Sequence, residues 1–199
     1  MDGGKEKSLE PGRTDALLIV DVQNDFLPGG SLAVPHGEEV IPPLNTYIQE
    51  FHRRHLPIVA TRDWHPEKHC SFQSQGGAWP PHCVQETEGA RISPELQLPK
   101  DAILIAKGAQ KDKDAYSGFQ DTELESFLRR WGIGRLFIGG LATDYCVLKT
   151  VLDALERRFR VCLLSDAIRA VDVRPGDGKR ALDEMRKAGA HIITLEHLS

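Results

Sequence analysis

Short, unbroken apolar runs that alternate with amphipathic stretches constrain this chain more than any other feature. Ala16-Leu17-Leu18-Ile19-Val20 is too short for a core helix and shows no alternation, so it reads as a strand buried on both faces. Similar runs are Ile58-Val59-Ala60, Ala102 to Ala106, Leu136-Phe137-Ile138, Val161 to Leu164 and His191 to Leu195, giving six candidate strands. Helical patterns lie between most of them. Leu44, Ile48 and Phe51 share a face behind Pro42-Pro43. Leu124, Phe127, Leu128 and Trp131 follow the i, i+3, i+4, i+7 rule, with Thr122 and Glu125 as a capping box and Gly132 as the stop. Val147, Leu148, Val151, Leu152 and Leu155 mark a third helix closed by Arg157-Arg158, and Ala181, Leu182, Met185 and Gly189 a fourth. Strands buried on both faces need helices above and below. The pattern therefore predicts a three-layer α/β/α fold around a six-stranded, mainly parallel sheet with right-handed crossovers.

Length and charge narrow the function. The 199 residues and 40% hydrophobic content suit a single domain with a full core, expected over residues 15–199. Residues 1–14 are polar, lack the apolar stretch of a secretory signal and are expected to form a flexible tail. A net charge of −4 with dispersed Lys and Arg gives no footprint for nucleic acid, and no apolar run reaches the roughly 20 residues of a membrane helix. Cys70, Cys83, Cys146 and Cys162 form no Cys-x-x-Cys pair, so reduced thiols in a cytoplasmic protein are expected. The oligomeric state stays open, a homo-oligomer included.

Parallel sheets bind ligands beyond the carboxyl ends of their strands. Asp21, Asp63, Lys107 and the segment Gly139 to Cys146 occupy those positions. Asp63 and His65 lie two apart and, in extended chain, point the same way. With His82, and His69 as a weaker candidate, they suit a divalent ion such as zinc, iron or manganese, though surface histidines in a polar loop would read the same. The stretch from Arg62 to about Pro99 has no evident helix or strand, yet holds Trp64, Phe72, Trp79 and three histidines, which argues for an ordered functional loop. Cys146 follows a Gly-Gly turn and is expected in the first turn of a helix, where the dipole and free N–H groups favour a thiolate and an oxyanion. A buried structural cysteine is the alternative. Asp21 can take a thiol proton, and Lys107 is expected to depress the pKa of both neighbours. Cys70, Cys83 and Cys162 read as structural, His36, His52, His55, His191 and His197 as surface or packing residues, and Asp166 as a turn or cap residue. Phe26, Trp79 and Tyr116 suit either an aromatic pocket or the core.

Five segments together resemble the nicotinamidases, also called pyrazinamidases, of the isochorismatase-like cysteine hydrolases. They are Ile19 to Phe26, Asp63-Trp64-His65-Pro66, Trp79 to Val84, Lys107-Gly108 with Asp114 to Phe119, and Gly140 to Val147, within a resemblance spanning about residues 15–195. The first and last are shared across the superfamily. The Asp-Trp-His and Trp-Pro-Pro-His segments set nicotinamidases apart from metal-free isochorismatases. The resemblance implies hydrolysis of nicotinamide to nicotinate and ammonia through a cysteine thioester, in NAD salvage, with pyrazinamide as a second substrate. It implies Asp21, Lys107 and Cys146 as a catalytic triad, and one divalent ion per subunit, zinc first, on Asp63, His65 and His82. The fourth protein ligand varies among members, leaving His69 and Ser71 open. It further implies a cis Leu141–Ala142 peptide, an oxyanion hole from the N–H groups of Ala142 and Cys146, and Phe26, Trp79 and Tyr116 around the pyridine ring. Ala109 to Lys113 departs from the pattern by being more basic. Rival readings are a metal-free hydrolase of the same superfamily, a non-catalytic ligand-binding module and a redox sensor at Cys146.

Overall fold

The structure is a computed structural model that describes residues 9–198. Six strands form one sheet: β1 (Asp15–Val20), β2 (Ile58–Asp63), β3 (Ile103–Lys107), β4 (Arg135–Leu141), β5 (Arg160–Arg169) and β6 (His191–Ile193). All five strand pairings are parallel, in the order β3-β2-β1-β4-β5-β6. The four α-helices among the described residues are α1 (Ile41–Arg53), α2 (Leu124–Arg130), α3 (Leu148–Glu156) and α4 (Asp177–Ala188), as the periodicity predicts.

The order explains the layers. From β1 the chain steps outward to β2 and β3, then returns to β4 and continues the other way to β5 and β6. Right-handed crossovers in opposite directions put their helices on opposite faces. Accordingly α1 buries Leu44, Tyr47, Ile48 and Phe51 against Leu17, Ile19, Ala60 and Phe137. On the other face Leu124 and Leu128 of α2, Val151 and Ala154 of α3, and Ala181 and Met185 of α4 pack on Leu18, Val20, Ile138 and Leu163. The direction of winding reverses between β1 and β4, and at such a switch point the loops after neighbouring strands diverge and leave a crevice.

Several local expectations change. Leu9 to Thr14 are tied to the domain. The Leu9 N–H donates to the His197 carbonyl at 2.8 Å, and Arg135 and Arg54 bond the Glu10 and Pro11 carbonyls at 3.2 and 3.3 Å. The remainder of the expected tail, residues 1–8, lies outside the described residues. The expected capping box is not formed: the N-cap of α2 is Glu123, which makes no side-chain cap bond, and Thr122 Oγ1 only accepts from the Leu124 N–H at 3.3 Å ahead of it. The Glu125 carboxylate turns outward to Arg129 and Arg157, both at 3.2 Å. Asp166 is neither turn nor cap; it lies inside β5, where it accepts from the Tyr47 hydroxyl at 3.1 Å and the Leu195 N–H at 2.8 Å. The stretch after β2 is ordered by one 3-10 turn, Gln73–Gln75, and by isolated bridges joining His65 to Val84 and Phe72 to Trp79.

One glycine brings β1 and β4 to a common end. Gly140 has φ 122°, and a Cβ there would lie 2.1 Å from the Val20 carbonyl oxygen, so no larger residue fits. Among the described residues no helix is long and apolar enough to cross a membrane.

Candidate active site

The residues predicted from three strand ends meet at the switch point. Asp21 leaves β1, Lys107 ends β3 and Cys146 sits in the turn after β4. The Lys107 ammonium donates to the Cys146 sulfur at 3.4 Å and to the Ala115 carbonyl at 3.2 Å, and its nitrogen lies 2.9 Å from Asp21 Oδ2. It also contacts Asp63 Oδ1. Asp21 Oδ1 is held by the Thr61 hydroxyl at 2.7 Å, while Oδ2 carries no well-angled hydrogen bond and is open to a proton from the thiol. All four groups are buried.

Burial sets the protonation states. Burial raises the Asp21 pKa and outweighs the lowering by Lys107, so the carboxyl stands above its ordinary range. Burial also raises Asp63, but Lys107 and His65 overcome it and hold that group well below the usual range. For Lys107 burial pulls down, and the charges of Asp21, Asp63 and Cys146 more than restore the ammonium. Burial pushes the Cys146 thiol well above its ordinary value against the pull of Lys107. Lys107 lowers both Asp21 and Cys146, as expected, but burial outweighs it at each group. Cys146 lies in a π-turn, Thr143–Val147, that runs directly into α3, so the expected first helical turn is present while burial opposes the expected thiolate there.

Asp63, His65 and His82 form a second cluster, with one donor atom from each within 4.8 Å of the others and all three buried. The His65 Nδ1–H donates to the Gly108 carbonyl at 2.9 Å and the His82 Nδ1–H to the Pro80 carbonyl at 2.8 Å. Those bonds fix the tautomers and leave Nε2 of each ring as the atom able to accept a cation. Gly108 permits this, since a Cβ there would lie 2.5 Å from His65 Cε1. Burial lowers His65, but the Asp63 carboxylate and the Gly108 carbonyl reverse the sign, whereas burial keeps His82 below its usual value. The donors fit a divalent cation. Asp21, Asp63 and Cys146 also gather donor atoms within 4.8 Å, but the Lys107 ammonium already contacts all three.

His69 stays out of the cluster. Its Nδ1 accepts from the Ser71 hydroxyl at 2.7 Å and its Nε2–H donates to the Lys113 carbonyl at 3.0 Å, so both nitrogens and the Ser71 hydroxyl are engaged. Its ring stacks on His65 at 4.0 Å and supports that ring. The Cys70 N–H likewise donates to the Lys111 carbonyl at 2.8 Å. The basic 109–113 loop thus serves the site through its backbone.

Cys146 and His82 open into one cleft lined by Phe26, Trp79 and Tyr116, as expected, and also by Leu32, Val34, Tyr145 and Val171. The Trp79 Nε1–H donates to the Tyr116 hydroxyl at 2.9 Å, and the Trp79 and Tyr145 rings meet edge to face at 5.1 Å. No sequence pattern singles out Tyr145, although its place beside Cys146 on one tight turn is a usable signal. The Leu141–Ala142 peptide is cis, and the Ala142 carbonyl accepts from the Tyr145 and Val147 N–H groups, both at 3.1 Å. Another hollow, at the amino ends of β2 and β3, is lined by His52, Pro57, Asp101 and Trp131 and holds none of these groups.

Comparison with known proteins agrees with this geometry. The family model for the isochorismatase domain matches residues 15–197. The nicotinamidase of Escherichia coli is 41% identical over 201 residues, spanning 90% of this chain and 94% of that protein. The crystal structure of the pyrazinamidase of Pyrococcus horikoshii in complex with zinc superposes with a TM-score of 0.88 at 49% identity, covering 92% of this chain and 99% of that one. The structure of PnC1 from L. infantum in complex with nicotinate gives 0.87 at 38% identity, covering 96% and 97%. With the strand order, the buried acid–amine–thiol cluster and this extent of match, the chain belongs to the isochorismatase family.

Proposed function

We propose that this chain hydrolyses nicotinamide to nicotinate and ammonia, and pyrazinamide by the same chemistry, as an amidase of NAD salvage in one domain over residues 15–199. The observation that carries the reading is the shared contact of Lys107 with Asp21, Asp63 and Cys146 beside the Asp63-His65-His82 donors. Asp21 takes the thiol proton, and the Cys146 sulfur adds to the amide carbonyl carbon. The N–H groups of Ala142 and Cys146 take the oxyanion, a contribution worth about 10²–10³ in rate per donor. The C–N bond breaks, Asp21 returns its proton to the departing ammonia, and a thioester remains. Asp21 then accepts a proton from the water that cleaves the thioester, releasing the acid and restoring the thiol. Lys107 stays charged throughout and balances the two carboxylates. Phe26, Trp79 and Tyr116 hold the aromatic ring.

Asp63, His65 and His82 would hold one divalent ion, zinc by our assignment in preference to iron or manganese. When bound, such an ion would supply a Lewis acid beside Cys146 able to take a ring nitrogen of the substrate. The nucleophile requires a free thiol, and all four cysteines are free, so we place the protein in the reducing cytoplasm.

Purified protein given nicotinamide is expected to release nicotinate and ammonia in equal amounts. A chelator should stop the reaction, and added zinc should restore it. Absence of ammonia would refute the amidase assignment, and full activity in metal-stripped protein would refute the metal site.

A further inference from the structure

We infer that Asp144 is a positioning residue for the hydrolysis proposed above: its carboxylate locks the turn that carries Cys146 to the strand end that forms the far wall of the pocket. This rests on that functional reading. Asp144 lies two residues before Cys146 in the Thr143–Val147 turn. Its Oδ1 accepts from the Val171 N–H at 2.9 Å and its Oδ2 from the Asp172 N–H at 2.9 Å. Charged acceptors on two successive amides make a directional, two-pronged clamp. The nearby arginines do not compete for it, because Arg174 and Arg180 pair with Asp177.

The clamped segment is part of the site. Val171 lines the same cleft as Phe26, Trp79 and Cys146. Asp172 extends the link, its Oδ1 accepting from the Gly178 N–H at 2.7 Å at the start of α4. The packing there is close, since a Cβ on Gly178 would lie 2.5 Å from that of Ala170. Nucleophile turn, pocket wall and α4 therefore move as one body. Without the clamp, the wall that orients the ring and the turn that aims the sulfur are coupled only by packing and by the β4–β5 ladder, which ends at Leu141 and Arg169. Attack needs the reacting atoms aligned, and a displacement near 1 Å can cost about 10²-fold.

The test compares the wild type with Asp144→Ala and Asp144→Asn. Asparagine keeps one acceptor and presents a donor to the other amide. With nicotinamide as substrate, the alanine variant is expected to lose about 100-fold in kcat/KM, with kcat down and KM up, and the asparagine variant to fall between. Hydrogen exchange at Val171 and Asp172 is expected to accelerate about tenfold or more in the alanine variant. A role confined to folding would lower the melting temperature and leave kcat and KM of the folded protein unchanged, which would overturn the inference. So would unaltered protection of both amides. Wild type that releases no ammonia would instead sink the amidase reading, and the exchange measurement would still decide the clamp. If the alanine variant does not fold, the isosteric asparagine variant carries both readouts.

Discussion

Cys146→Ala is expected to abolish ammonia release from nicotinamide while leaving the pocket able to bind it. The sulfur is the one nucleophile that the buried acid and amine both address, with Lys107 at 3.4 Å and a proton-accepting oxygen of Asp21 on the same ammonium. Loss of a nucleophile that works as a unit with its base costs on the order of 10⁶-fold in kcat. Alanine removes only the sulfur at a buried position, so the fold and the aromatic lining should survive. Steady-state ammonia measurement together with calorimetric binding of nicotinamide checks both halves. Turnover near the wild-type rate would remove Cys146 from the chemistry.

Lys107→Met is expected to be the most destabilising change at the site as well as an inactivating one. Lys107 is fully enclosed and bridges Asp21 and Asp63, which are themselves buried. Methionine matches its length but leaves two carboxylates facing each other without a counterion. Removing one partner of a buried ion pair costs about 3–5 kcal/mol. For a domain of this size that corresponds to roughly 10 °C in melting temperature. One carboxyl should relieve the repulsion by taking up a proton. Asp21 already stands above its ordinary range, so it is the group expected to do so, and a protonated Asp21 cannot act as base. A thermal melt and an ammonia assay read the two effects. A variant as stable and as active as wild type would show that the shared ion pair is dispensable.

The features of the fold and site that are legible in the sequence share a physical origin. Continuous apolar runs report burial on both faces, so Ala16 to Val20 and Leu136 to Ile138 located β1 and β4. Residues just past those runs then pointed to Asp21, Lys107 and Cys146, because a parallel sheet presents its strand ends together. What stayed hidden depends on contacts distant in sequence. β5 runs on through Ser165 and Asp166 because their polar groups find partners in Ile193, Tyr47 and Leu195, which no local pattern announces. Leu9 to Thr14 look like a tail by composition and are anchored by carbonyls that meet Arg54 and Arg135. The protonation states depend on such contacts too. A helix start suggests a stabilised thiolate, but burial of Cys146 and Asp21 makes desolvation the largest influence on both. Asp144 gave no signal, since its role exists only once β4 and β5 lie side by side.

The proposed hydrolysis requires a covalent bond between Cys146 and the acyl group of the substrate. The direct test is acid quench of the enzyme during turnover of nicotinamide, followed by mass spectrometry of the peptide that contains Cys146. A nicotinoyl thioester on that sulfur, forming before nicotinate and disappearing as it accumulates, is the predicted result. Steady production of nicotinate with Cys146 never acylated, or with the acyl group on another residue, would contradict it.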